Sequence, residues 1–168
     1  TLNGAISAGG GGIIFNKTNT GTLWVNSANP TLAANTYINA GLLAFGNRLT
    51  GSTTANLGAG DIFINPGAAI QVRGTGNVNT GAGQQVNLVG TPYAPSVFRA
   101  AFAATQANLQ SLIQSRTTTS NEVTVISWEA TPAAANYDQS LIGDGRVFFG
   151  AIAADRTYSG AATGSALI

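Results

Sequence analysis

Between Asn16 and Asn47 the chain turns a corner every few residues, and that rhythm limits what it can build. The segment reads NKTNTGTLWVNSANPTLAANTYINAGLLAFGN. Its β-type runs are Gly21–Val25, Thr36–Asn39 and Leu42–Phe45, separated by Asn, Ser, Thr, Ala, Gly and Pro with a single Leu. Apolar runs broken at such short intervals leave no room for crossover helices. The chain must keep laying down short strands, and the pattern predicts a mainly β fold, a parallel β-helix (solenoid) of stacked coils.

The rhythm holds from Thr1 to Gly90. Further runs are Ile13–Phe15, Ala55–Leu57, Asp61–Ile64, Ala69–Val72, Asn77-Val78 and Gln85–Val89. Corners fall at Asn65-Pro66-Gly67, Gly74-Thr75-Gly76 and Gly81-Ala82-Gly83, where Pro fixes φ and Gly or Asn tolerates positive φ. Leu23/Val25, Ile62/Ile64 and Ile70/Val72 alternate with period two, so each pair can face one interior. At roughly 20 residues per coil, residues 1–90 make about four coils. Strands about 4.8 Å apart would give roughly 20 Å of axis.

After Thr91 the text changes. Pro92 and Pro95 are breaks, and Phe98, Phe102, Leu109, Leu112 and Ile113 then recur at helical spacing. With Ser96 as N-cap, this predicts an amphipathic helix from Ser96 or Val97 to Ser115, packed on the β body with Arg99, Gln106, Gln110 and Gln114 outward. Glu122–Trp128 is the strongest strand pattern, and Arg146–Gly150 is another after the turn Gly143-Asp144-Gly145. The expected organisation is coils over 1–90, a helix-containing insertion or cap over 91–121, and further strands with a Gly/Ala-rich tail over 122–168. The opening Thr1 and the unfinished tail Ser159–Ile168 read as a mature product or a piece of something longer.

Composition narrows the function. Only 8% of the 168 residues are charged, against about 25% in a typical soluble domain. Solubility must come from Asn, Gln, Ser and Thr, as is common in extracellular β-rich proteins. The seven basic residues are scattered (Lys17, Arg48, Arg73, Arg99, Arg116, Arg146, Arg156), so no basic stripe points to nucleic acid. No run reaches the roughly 18 apolar residues of a membrane span. Without Cys, His or Met there is no disulfide framework, no thiolate metal site and no histidine base.

The segment Asn16–Asn47 resembles the passenger-associated transport repeat of bacterial autotransporter-like proteins. The matching residues are Lys17-Thr18, Gly21-Thr22-Leu23, Asn35-Thr36-Tyr37 and Ile38–Gly46, with Leu2–Ser7 as lead-in. The family places Thr-Gly-Gly-Thr-Thr between the Tyr and Ile that here adjoin as Tyr37-Ile38. The resemblance implies a right-handed parallel β-helix at the cell surface, within a large secreted protein. It implies no activity.

The six acids form no spaced motif. Glu122 and Glu129 flank the Trp128 strand, and an aromatic residue beside acids is a common sugar-binding arrangement, so these three are the candidate glycan or partner contacts. Asp144 alone does not make a calcium loop, which needs several oxygen ligands at regular spacing. Trp24, Trp128, Tyr37, Tyr93, Tyr137 and Tyr158 could stack sugars or fill a core. Asn16-Lys17-Thr18 matches a glycosylation sequon, with little weight in a bacterial export setting. No catalytic, cofactor or metal residue is assigned. The expectation is a structural, non-catalytic segment of an extracellular or outer cell-surface bacterial protein: a stalk, an adhesin scaffold or a filament. Its partner would be a second copy, with Tyr158, Leu167 and Ile168 as candidate subunit contacts, and surface glycans a further partner. The rival readings are a glycan-binding or glycan-cleaving module and a phage fibre segment.

Overall fold

The computed structural model describes residues 1–4, 6, 14–28, 33–46, 49, 51–113, 124–130, 136–143, 147–151, 155 and 157–164. The protein is mainly β, with parallel sheets and, among the described residues, one α-helix. The strands are β1 (Phe15–Lys17), β2 (Thr22–Val25), β3 (Thr36–Ile38), β4 (Leu42–Phe45), β5 (Ile62–Ile64), β6 (Ala69–Val72), β7 (Val86–Leu88), β8 (Ser96–Ala100), β9 (Thr124–Trp128), β10 (Tyr137–Asp138), β11 (Val147–Gly150) and β12 (Ala162–Thr163). The helix α1 spans Gln106–Leu112.

From β1 to β8 consecutive strands alternate between two separate sheets, and β9 then pairs with β8 in the same sheet. One has four strands in the order β1-β3-β5-β7; the other has six, ordered β11-β9-β8-β6-β4-β2. A two-stranded pair, β10-β12, stands apart, and Leu2 extends the six-stranded edge through an isolated bridge to Val25. Every strand pair is parallel. Phe15 lies beside Thr36, a step of 21 residues, whereas Ser96 lies beside Thr124, a step of 28. The rungs keep their register while the corners between them vary in length.

Register stacks like on like. In the six-stranded sheet one inward column runs Leu23, Leu43, Ile70, Phe98, Ile126, Phe149. In the four-stranded sheet Ile38, Ile64 and Leu88 form another. Leu43, Ile70, Phe98, Ile126, Ile38 and Ile64 are fully buried and belong to one core cluster. Each such side chain contributes about 1.5–3 kcal/mol on burial. A three-residue strand is marginal by itself, so its order comes from the strands it pairs with.

Two internal amides hold the corners that follow β4 and β6. Asn77 is buried and donates to Ser52 O (2.8 Å) and Ala55 O (2.7 Å), while its Oδ1 accepts from Arg73 N (2.7 Å). Gln84 is buried too; it donates to Gly60 O and accepts from Asn79 N (3.0 Å). Backbone groups that the ladders leave unpaired are satisfied there, which a buried corner requires.

The helix is shorter than its periodicity predicts and starts later. Residues Ser96–Ala100 form β8, paired with β6 on one side and β9 on the other. Val97 and Phe98 suit a strand, and two backbone ladders outweigh a marginal local helical pattern. Ser96 caps nothing; its Oγ shares a buried hydrogen bond with Thr124 Oγ1 (3.2 Å). The N-cap is Thr105, in a capping box with Asn108. Leu109, Leu112 and Ile113 are buried as expected, and Phe102 packs against the core from a loop. Arg99 lies on β8, and Gln114 and Ser115 fall outside the described residues.

Three strand expectations also shift. Asn77 closes a 3-10 turn, because its amide is spent on the neighbouring corner. Ala55–Leu57 is irregular, although Ala55 and Leu57 are buried. The first strand is Phe15–Lys17, with Ile14 exposed before it.

Phe98→Ala should destabilise the protein by about 3–5 kcal/mol in urea denaturation, the range for emptying an aromatic core site. Thr105→Ala should cost only about 1 kcal/mol, the value of one N-cap.

Candidate functional site

The outer face of the four-stranded sheet carries a regular array of side chains. Alternation along each strand turns Ile38, Ile62, Ile64 and Val86 inward and leaves their neighbours outward. One outward column is Asn16, Tyr37, Phe63, Asn87. The Tyr37 and Phe63 rings stack face to face, 4.8 Å between centroids and 9° from parallel. That separation matches the spacing of adjacent strands, so the backbone ladder sets it. Both rings are half-buried.

A second column begins where β3 and β5 end. Asn39 Nδ2 donates to Asn16 Oδ1 (3.3 Å), and Asn65 Nδ2 donates to Asn39 Oδ1. Asn16 and Asn39 are exposed and Asn65 is half-buried. At the opposite margin Asp61 N donates to Asn35 Oδ1 (3.0 Å), and Gln85 N donates to Asp61 Oδ1 (3.1 Å). The Asp61 carboxylate is the single formal charge in these outward columns. Next to the Asn65 corner stands the turn Thr91–Ala94. Thr91 and Ala94 exchange two backbone hydrogen bonds (3.0 and 3.1 Å), and Gly67 N donates to Ala94 O (3.2 Å). Tyr93 is fully exposed on that turn.

On the inner side Lys17 occupies the position that Ile38 and Ile64 fill on later rungs. Its ammonium donates to the carbonyls of Asn19 and Ala40, the latter at 2.9 Å. Burial lowers its pKa from the ordinary 10.5. Gly41 closes this corner at φ +70°; a Cβ there would lie 2.5 Å from the carbonyl oxygens of Asn19, Thr20 and Gly21. Only glycine fits.

The residues singled out in the sequence lie elsewhere. Trp128 is 5% exposed, its ring 5.3 Å from Tyr137 and 6.2 Å from Phe149. Tyr137 also contacts Tyr158 at 5.5 Å, so these four aromatic residues form one cluster. Glu129 accepts from Ser127 Oγ (3.0 Å) and faces Arg99 Nε at 3.8 Å on the outer side of the six-stranded sheet. Trp128 and Glu129 thus leave the strand in different directions. Trp24 lies under the Arg73 guanidinium, 5.8 Å from the ring centroid. Glu122, Asp144, Leu167 and Ile168 lie outside the described residues. Sequence reading missed the amide row, although its signal was present: an Asn follows both Ile38 and Ile64.

Among the described residues no three His, Cys, Asp or Glu side chains gather as metal ligands, and no helix is long and apolar enough to cross a membrane. No protein-family model, curated protein or solved structure matches this chain.

The Lys17 environment gives a pH prediction. Its folded-state pKa lies below the unfolded value, so between the two the unfolded chain holds more protons. Stability should therefore rise as pH climbs through the folded pKa toward 10.5. Urea titrations at stepped alkaline pH should show this rise in the parent and lose it in Lys17→Met.

Proposed function

We propose that the chain is a structural, non-catalytic β-helical segment of a bacterial cell-surface or extracellular protein. The observation that carries this reading is the alternation of consecutive strands between two parallel ladders from β1 to β8. Repeated at constant register, that alternation is what a coil stacked on a coil produces. The resemblance of Asn16–Asn47 to the passenger-associated transport repeat supports the same reading. Its Lys17-Thr18, Ile38-Asn39 and Gly41-Leu42 fall at the ends of β1 and β3 and the start of β4. The work of such a segment is mechanical: backbone ladders resist extension, the aliphatic interior excludes water, and the uncharged polar exterior keeps it soluble.

Self-association belongs to this reading. The edge strand β11 reads Val-Phe-Phe-Gly, with no charge and no proline to discourage pairing. Among the described residues no strand lies on its outer side. A strand from a second copy would complete it through main-chain hydrogen bonds, as in strand addition.

Light scattering of the purified chain, with and without residues 157–168, tests the assembly, and electron microscopy shows its form. We expect multimers or fibres from the full chain; a monomer at high concentration in both forms rejects self-association. The coil reading is tested separately by Ile70→Pro. Proline removes a ladder donor in a central strand. Cooperative unfolding and amide protection should then be lost in both sheets, and loss confined to β6 would reject a single stacked unit.

A further inference from the structure

We propose that the outer face of the four-stranded sheet, together with the Tyr93 turn, binds a linear, uncharged polysaccharide. Three features of that face converge. The first is hydrogen-bonding capacity in a row. An amide has two N–H donors and two acceptor lone pairs. The bonds of Asn39 with Asn16 and Asn65 spend one donor and one lone pair of Asn39, leaving one of each for an outside partner. Asn65 spends one donor, and Asn16 one lone pair. Because the amides also hold one another, their orientation is fixed before any ligand arrives, which lowers the cost of binding.

The second feature is apolar surface beside the amides. The edges of the stacked Tyr37 and Phe63 rings share this face, and Tyr93 offers a whole ring at its margin. Its turn is held by the paired Thr91–Ala94 bonds and by Gly67, so the ring sits on a fixed base. Nothing in the fold needs an aromatic ring there, since Tyr93 is fully exposed. Sugars present C–H patches and hydroxyls side by side, and mixed aromatic and amide surfaces complement both.

The third feature is charge. Lys17 points inward to carbonyls, and the one carboxylate, Asp61, is held by the Gln85 N–H at the far margin. A lone negative charge gives no attraction to a uronic-acid or sulfated chain, so the face suits a neutral one. Rungs repeating every 4.7–4.9 Å offer contacts at intervals comparable with the length of a sugar ring, which favours a linear chain laid across the strands.

Affinity electrophoresis through gels containing hydroxyethylcellulose, laminarin or yeast mannan tests the proposal, with polygalacturonate as the anionic comparison. The parent chain should be retarded by at least one neutral polymer, with little change in 1 M salt. Asn39→Ala and Tyr93→Ala should each weaken retention by about fivefold or more, the effect of one lost contact. Both should unfold at close to the parent's urea midpoint, since exposed positions bear little on stability. Retardation by none of the neutral polymers overturns the proposal. So does retention that both variants keep, or retention by polygalacturonate alone. If Asn39→Ala proves unstable, Tyr93→Ala decides by itself, because its side chain touches nothing in the fold.

Discussion

Everything in this protein hangs on the parallel backbone ladder between one rung and the next. Strands of three to five residues have too few hydrogen bonds and too little buried surface to persist alone. Each becomes stable because its main chain is paired in fixed register with a neighbouring strand, and the inner strands are paired on both sides. Register is fixed by the interior: a shift of one residue would turn Ile38, Ile64 and Leu88 outward and bring Tyr37, Phe63 and Asn87 into the core. The aliphatic columns and the ladders therefore enforce one another.

The same repetition creates the surface. When strands stack in register, whatever points outward is repeated at the strand spacing. Tyr37 meets Phe63, Asn39 meets Asn65, and Asn35 meets Asp61, without any segment being shaped for the purpose. A short sequence can thus display an ordered array with very few charges. Lys17 shows the limit of the rule. An ammonium in an inward column is tolerated because two corner carbonyls receive it, while loss of water on burial lowers its pKa from 10.5.

Local and long-range preferences competed most openly between Ser96 and Ile113. The spacing of Phe98, Phe102 and Leu109 favours a long helix. The available pairing on β6 favours a strand, and the strand wins for five residues. The helix survives only from Gln106, where Thr105 and Asn108 cap it and Leu109 and Leu112 reach the core. An isolated helix of that length would not be stable, so it too depends on the sheet body.

The sequence by itself determined the β class, the parallel habit and most strands. Leu42–Phe45 and Ala69–Val72 coincide with β4 and β6, because short apolar runs set off by nearby Gly and Pro carry their own instruction. It also determined the uncharged surface, since composition requires no neighbours to be read. Only the tertiary structure decided which residues face each other. Trp128 was legible as an aromatic residue beside acids; its burial against Tyr137 and Phe149 depends on pairings between distant parts of the chain. The Asn16–Asn39–Asn65 row joins residues 23 and 26 positions apart, and the unequal corners between them hide that period from inspection. Spacing along the chain reports one strand at a time, whereas the site is made by register between strands.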